Sequence, residues 1–132
     1  MKVFFDHNMS PAIARALREL FRKEHEIAFL TEKFSRDARD IEWITALSRE
    51  GQWVVISGDR RITRNRAEYH VFRSSNLIGL FLSEGLYKAP VAKQMERLLA
   101  LWPIIESVCS TVQGGAMFEL PVRSTRLRQM KI

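Results

Sequence analysis

Short apolar runs alternate along the chain with segments whose apolar residues recur at helical spacing. Lys2 to Phe5 is apolar-rich, bounded by polar residues, and predicts a strand. Ser10-Pro11 then signals a helix start, with Ser as N-cap and Pro at the first helical position. Ile13, Leu17, Leu20 and Phe21 follow on one helix face. Glu26 to Thr31 predicts a second strand, and residues 32–39 are charged and irregular. Asp40 opens a second helix, with Ile41, Ile44 and Leu47 inward and Glu50-Gly51 at its end. Trp53 to Ser57 (WVVIS) is the strongest strand signal, apolar at nearly every position, as in a strand covered on both faces. Residues 63–73 predict a short basic helix, Asn76 to Leu82 a further buried strand. Pro90 starts a long helix with Val91, Met95, Leu98, Leu99 and Trp102 on one face, which Pro103 is expected to kink or break. Gly114-Gly115 leads into a last strand, Ala116 to Leu120, and the segment after Pro121 is expected to fray unless something holds it.

This alternation predicts a mainly parallel sheet with helices on both faces, an α/β sandwich. The last strand need not share that direction. In such sheets ligands bind beyond the carboxyl ends of the strands. At 132 residues the chain is expected to form one domain over 1–122, followed by a basic tail over 123–132. With 46% hydrophobic and 27% charged residues, it is neither a disordered chain nor a collagenous one. The single cysteine, Cys109, excludes an intramolecular disulfide and a cysteine zinc cluster. No apolar stretch reaches the length of a membrane span, and the N-terminus meets Asp6 too early for a signal peptide. A cytoplasmic protein without membrane contact is expected.

The net charge of +6 favours a polyanionic partner, and its distribution says more than its size. Arg60, Arg61, Arg64, Arg66, His70 and Arg73 lie close together against one acid, Glu68. Arg123, Arg126, Arg128 and Lys131 mark the C-terminal end, where no acid occurs. The acids of interest fall elsewhere. Asp6 directly follows the first strand, Asp59 lies two residues past Ser57, and Asp40 begins the helix before the Asp59 strand. All three can reach the carboxyl edge of the sheet. Converging carboxylates repel unless protons or a cation compensate them, and Mg²⁺ or Mn²⁺ favours such oxygen ligands. A metal so held can activate water against a phosphodiester, and the neighbouring arginines suit the backbone of a nucleic acid.

Phe5-Asp6-His7-Asn8 with Ser10-Pro11, then Asp40-Ile41-Glu42-Trp43-Ile44, then Val54 to Ile62 (VVISGDRRI) together resemble the PIN-like ribonuclease domains. The likeness runs from residue 1 to about residue 85 and is nearest the short proteins that serve as VapC-type toxins. The resemblance implies a PIN-like three-layer α/β/α sandwich and a metal-dependent endoribonuclease using one or two Mg²⁺ or Mn²⁺ ions. By it, Asp6, Asp40 and Asp59 match the metal-binding acids, and Asn8 and Ser57 match polar residues beside them. It further implies RNA as substrate, an antitoxin as partner and a possible homodimer. Two positions depart: His7 stands where relatives often have Glu, and Arg61 where many have a further acid.

Each residue also has a plainer role. Asp6 can end a strand, Asp59 can shape a Ser-Gly-Asp turn, and Asp40 can cap its helix, in which case Asp37 is the substitute ligand. Glu42 faces elsewhere, because residues two apart on a helix do not share a face. Asn8 and Ser57 can bond their own loops, and His7 is expected at the surface or in a hydrogen bond. Arg60, Arg61, Arg64 and Arg66 contact RNA phosphates, or form a solvated face paired to Glu68. Trp43, Trp53 and Trp102 read as core. The competing function is a catalytically weak or inactive PIN-like module that binds RNA or a protein. A receiver-type phosphoacceptor ranks third, lacking paired acids after the first strand and a Lys near the last. A nucleotide-binding Rossmann enzyme is disfavoured, since neither G-x-G-x-x-G nor a P-loop is present.

Overall fold

The apolar runs do form the centre of the molecule. The computed structural model describes residues 1–130. In chain order its elements are β1 (Lys2–Phe5), α1 (Pro11–Leu20), β2 (Glu26–Phe29), α2 (Leu30–Lys33), α3 (Asp40–Glu50), β3 (Trp53–Ser57), α4 (Arg61–Arg64), α5 (Arg66–Arg73), β4 (Ile78–Leu82), α6 (Glu84–Tyr87), α7 (Val91–Cys109), β5 (Met117–Leu120) and β6 (Arg128–Gln129). They build one sheet of order β2-β1-β3-β4-β5-β6. β1 to β5 pair in parallel, and β6 runs antiparallel to β5. The order steps outward from β1 to β2 and then back across to β3. That reversal makes the carboxyl ends of β1 and β3 a switch point, where α/β sheets bind ligands.

Strand alternation sorts the core into two layers. On one face Val3, Phe5, Val54 and Ile56 pack with Ile13 and Leu17 of α1 and Leu98, Trp102 and Ile105 of α7. On the other, Phe4, Trp53 and Val55 pack with Trp43, Ile44 and Leu47 of α3 and Phe72 of α5. The fold is therefore an α/β/α sandwich, and all three tryptophans are buried. Among the described residues no helix is long and apolar enough to cross a membrane.

Ser10 caps α1 as expected, its hydroxyl accepting from the Ala12 N–H at 3.2 Å. Gly51 ends α3 at a φ of 133°, which a side chain would strain. Several expected details change. Leu20 and Ile41 are exposed, and the buried position near the start of α3 is Trp43. Val91 and Leu99 also face solvent, because α7 buries the line of Gln94, Leu98, Leu101, Trp102 and Ile105. Pro103 does not break α7. It lies on the exposed side, so water can serve the carbonyl that its missing N–H leaves free. The second strand ends at Phe29, and Leu30–Lys33 turn helical. The basic helix is split at Asn65, whose side chain accepts from the Glu68 N–H at 3.0 Å and starts α5.

The basic C-terminal segment, expected to fray, is held. Glu119 pairs with Arg128 in register, and their side chains form an ion pair at 3.0 Å. The Met130 N–H donates to the Met117 carbonyl at 2.8 Å. Buried Arg97 donates to the Pro121 carbonyl at 3.2 Å and also to the Ser124 carbonyl. Lys131, counted with the basic tail, lies outside the described residues.

Candidate active site

The switch point joins the Asp6 and Asp59 loops through a polar network. The Asp6 N–H extends the β1–β3 ladder by donating to the Ile56 carbonyl at 3.1 Å, which sets the Asp6 side chain beneath the surface, 1% exposed. Ser57 Oγ donates to Asp6 Oδ2 at 3.2 Å. Asn8 bridges the two loops: its Nδ2 donates to Ser57 Oγ at 3.2 Å, and the Gly58 N–H donates to its Oδ1 at 2.7 Å. Asn8 and Ser57 therefore fix Asp6 and the start of the Asp59 loop relative to each other. His7 folds back on its neighbour, with its backbone N–H 2.6 Å and its ring Nδ1 2.7 Å from Asp6 Oδ1. A carboxylate only accepts, so Nδ1 carries the proton there. Burial pushes the Asp6 carboxyl above its ordinary range, and the charge and hydrogen bonds of His7 offset only part of that.

Asp40 does not cap its helix. The N-cap position is Arg39, and Asp40 is the first helical residue, 5% exposed. Its Oδ1 accepts from Trp43 Nε1 at 3.0 Å. Its two oxygens also accept from Arg61 Nη2 and Nε, each at 3.1 Å. Burial works against the charge on Arg61, but its bond to Asp40 and the charges of Asp40, Asp59 and Asp6 hold its pKa above the ordinary value.

A third acid joins this group from α5. Glu68 Oε2 is sealed from solvent without a hydrogen-bond donor among the described residues. Burial, then the adjacent Asp40 carboxylate, pushes the Glu68 carboxyl upward, and Asp6 adds to the effect. Among the described residues Glu68 makes no ion pair with Arg60, Arg61, Arg64 or Arg66, the pairing that the plainer alternative for those arginines supposes. The sequence carried one signal: Glu68 stands three residues after a helix-capping Asn65, the capping-box spacing, which places it in the first turn of a helix.

Asp59 goes elsewhere. Its Oδ1 accepts from the Arg61 N–H at 2.9 Å, the turn role that a Ser-Gly-Asp loop suggests. The cleft above Asp40 is lined by His7, Arg36, Arg39, Arg61 and Glu68, with exposed Asp37 at its margin. Asp59 lines a separate cleft with Gly58, Arg64 and Tyr87. The structure thus brings Asp6, Asp40 and Glu68 together and turns Asp59 toward a separate cleft. Glu42 is exposed and pairs with Arg39 at 2.8 Å.

The donor chemistry of Asp6, Asp40 and Glu68 suits a hard divalent cation, but their arrangement does not. Among the described residues no three His, Cys, Asp or Glu side chains are placed to hold a metal ion. Asp6 is engaged by His7 and Asp40 by Arg61. Both positions that depart from the metal-binding pattern therefore engage the acids beside them, His7 through hydrogen bonds to Asp6 and Arg61 through its guanidinium on Asp40. The remaining candidate phosphate contacts divide. Arg60 is tied to Glu119 by an ion pair, whereas Arg64 and Arg66 are exposed and make no ion pair among the described residues.

A family model described as a PIN like domain matches residues 1–84, more than half of the chain. No curated protein and no solved structure gives a significant match. PIN-like domains are generally nucleases, and the matched segment runs from β1 through β4, taking in Asp6, Asp40, Asp59 and Glu68. The six-stranded, mostly parallel sheet and its two helical layers agree with that match. By fold and by sequence, the chain belongs to the PIN-like domain family.

Proposed function

We propose that this chain is a PIN-like module that binds RNA through a basic rim and whose acid cluster is neutralised from within. The observation that carries the reading is the two-point contact of the Arg61 guanidinium with Asp40. A guanidinium in that position compensates a carboxylate without a metal ion, and its fork geometry matches both oxygens. Arg36, Arg64 and Arg66 then supply exposed positive charge around the carboxyl edge of the sheet. Phosphate contacts of this kind give affinity with steep salt dependence.

The test is single-stranded RNA binding by fluorescence anisotropy in EDTA and in MnCl₂, with cleavage followed on a gel. The reading expects salt-sensitive binding that EDTA leaves unchanged, and no cleavage. Cleavage that requires Mn²⁺ and disappears in Asp6→Asn would overturn it.

One observation favours a second reading, the metal-dependent endoribonuclease. Glu68 Oε2 is buried against Asp40 with no donor, and a carboxylate oxygen so placed calls for a proton or a cation. On that reading Asp6, Asp40 and Glu68 hold Mg²⁺ or Mn²⁺ once Arg61 has moved aside. The ion would supply Lewis-acid stabilisation of the phosphate. The toxin role, with its antitoxin partner and homodimer, belongs to this reading.

A further inference from the structure

The cleft lined by Asp59 is not used by the acid cluster. It opens at the carboxyl ends of β3 and β4, and Asp59, Arg64 and Tyr87 line it. Tyr87, 40% exposed, is the one exposed aromatic side chain among the described residues; every other aromatic is buried or half-buried.

The position of Tyr87 is fixed from three sides. Ser83 Oγ accepts from the Leu86 N–H at 3.2 Å and starts α6, and Leu86 is buried beneath it. The side-chain amide of buried Gln94 donates to the Tyr87 carbonyl at 3.1 Å and to the Leu86 carbonyl at 3.3 Å. One edge of the ring lies against Gly58. A Cβ at Gly58 would stand 2.6 Å and 2.7 Å from ring carbons Cε1 and Cδ1, so the glycine is what admits the ring. A pre-positioned aromatic surface loses little freedom when a flat ligand stacks on it.

The charges around the ring are selective. Lys88 is paired with Glu84, and Arg60 with Glu119. Arg64 makes no ion pair among the described residues, and the only hydrogen bond to the Asp59 carboxylate there falls on Oδ1. A π-face, a carboxylate oxygen and an arginine match three parts of a nucleotide: the ring, an exocyclic amine and the phosphate.

We propose that this cleft binds one unpaired nucleobase of single-stranded RNA. Tyr87 stacks on the base, Asp59 accepts from its amino group and Arg64 holds the adjoining phosphate. The inference rests on the RNA-binding reading and extends it from backbone contact to capture of a base. Duplex RNA keeps its bases stacked and offers none.

An oligoribonucleotide carrying 2-aminopurine reports the stacking through loss of its fluorescence. The wild-type protein is expected to quench the single-stranded probe and not a duplex containing it, a measurement that needs no variant. Tyr87→Ala is expected to abolish the quenching and lower affinity about tenfold, in line with ~1–3 kcal/mol per stacked base. Tyr87→Phe is expected to keep both. Arg64→Ala should weaken binding while the bound probe remains quenched. RNA binding without quenching in the wild type, or full affinity in Tyr87→Ala, overturns the base site and leaves the RNA reading standing. No RNA binding at all defeats that reading, and the base site with it.

Discussion

The Arg61 guanidinium spans both oxygens of Asp40 at 3.1 Å, joining the first turn of α4 to the first turn of α3. Asp40 is buried, while the Arg61 side chain is half exposed. The pair thus caps an acid group that extends inward to Asp6 and sideways to Glu68. One cation does the compensating for several carboxylates, which is the task a metal ion performs in an acid cluster of this kind.

Removing that cation should expose the acids' affinity for another. Arg61→Ala is expected to lower stability by about 2–3 kcal/mol at neutral pH, since it strands a buried carboxylate, a cost held down by the solvent that already screens the half-exposed guanidinium. MnCl₂ should raise the unfolding midpoint of the variant and leave the wild type unmoved. Thermal unfolding with and without the ion reads both effects. An equal Mn²⁺ shift in the wild type would contradict the view that Arg61 takes the cation's place.

Glu68 gives a prediction with a pH sign. Its folded-state pKa is raised by burial and by Asp40, so its contribution to stability is full below the ordinary carboxylate range. That contribution is lost as pH rises through the raised value. Glu68→Gln keeps a neutral donor beside Asp40 at every pH. The variant is expected to be more stable than wild type by about 1 kcal/mol at neutral pH, with no difference near pH 4. Urea denaturation at the two pH values checks it.

The arginines should separate by their ion pairs. Arg64→Ala and Arg66→Ala are each expected to reduce the slope of log affinity against log salt by roughly 0.7 for single-stranded RNA. Arg60→Ala should leave that slope unchanged, because Arg60 is already engaged by Glu119. Binding titrations across a salt series distinguish the cases.

The C-terminal segment should matter to stability. Truncation after Val122 takes Ser124 from buried Arg97 and Arg128 from Glu119, and leaves the β5 edge unpaired. A loss of about 2 kcal/mol is expected, dominated by the unsatisfied guanidinium of Arg97. Urea denaturation of the truncated chain measures the loss, and an unchanged midpoint would show that β6 is ornamental to the fold.

Cys109 should be inert in the folded protein. Burial pushes its thiol up to about 12, far above the pH at which thiol reagents are used. A disulfide reagent near pH 8 is expected to modify it only as fast as the chain unfolds.

Much of this architecture is local and therefore legible in the sequence. Ser10-Pro11 starts a helix, WVVIS forms a strand buried on both faces, and Gly51 ends a helix, each because neighbouring residues suffice to dictate it. The placing of Asp6 and Asp59 after strands was legible for the same reason. The failures lie where an outcome depends on distant chain. Leu17 and Trp43 are buried as their positions suggest, but Leu20 and Ile41, which also satisfy the helical spacing, face solvent, since which arc of a helix is buried depends on its docking. Fraying was expected after Pro121 because no local pattern reveals that Glu119 and Arg97 wait for that segment.

The site follows the same division. Sequence alone determined that Asp6, Asp40 and Asp59 stand at element ends, because strand and helix boundaries are written locally. Only the tertiary structure decided that Arg61 sits on Asp40, that Glu68 comes to lie beside Asp40, and that Tyr87 rests on Gly58. These partners are 21, 28 and 29 positions apart. Charge neutralisation and ring packing act through space, so the residues that settle what the acids can bind are the ones the fold brings to them.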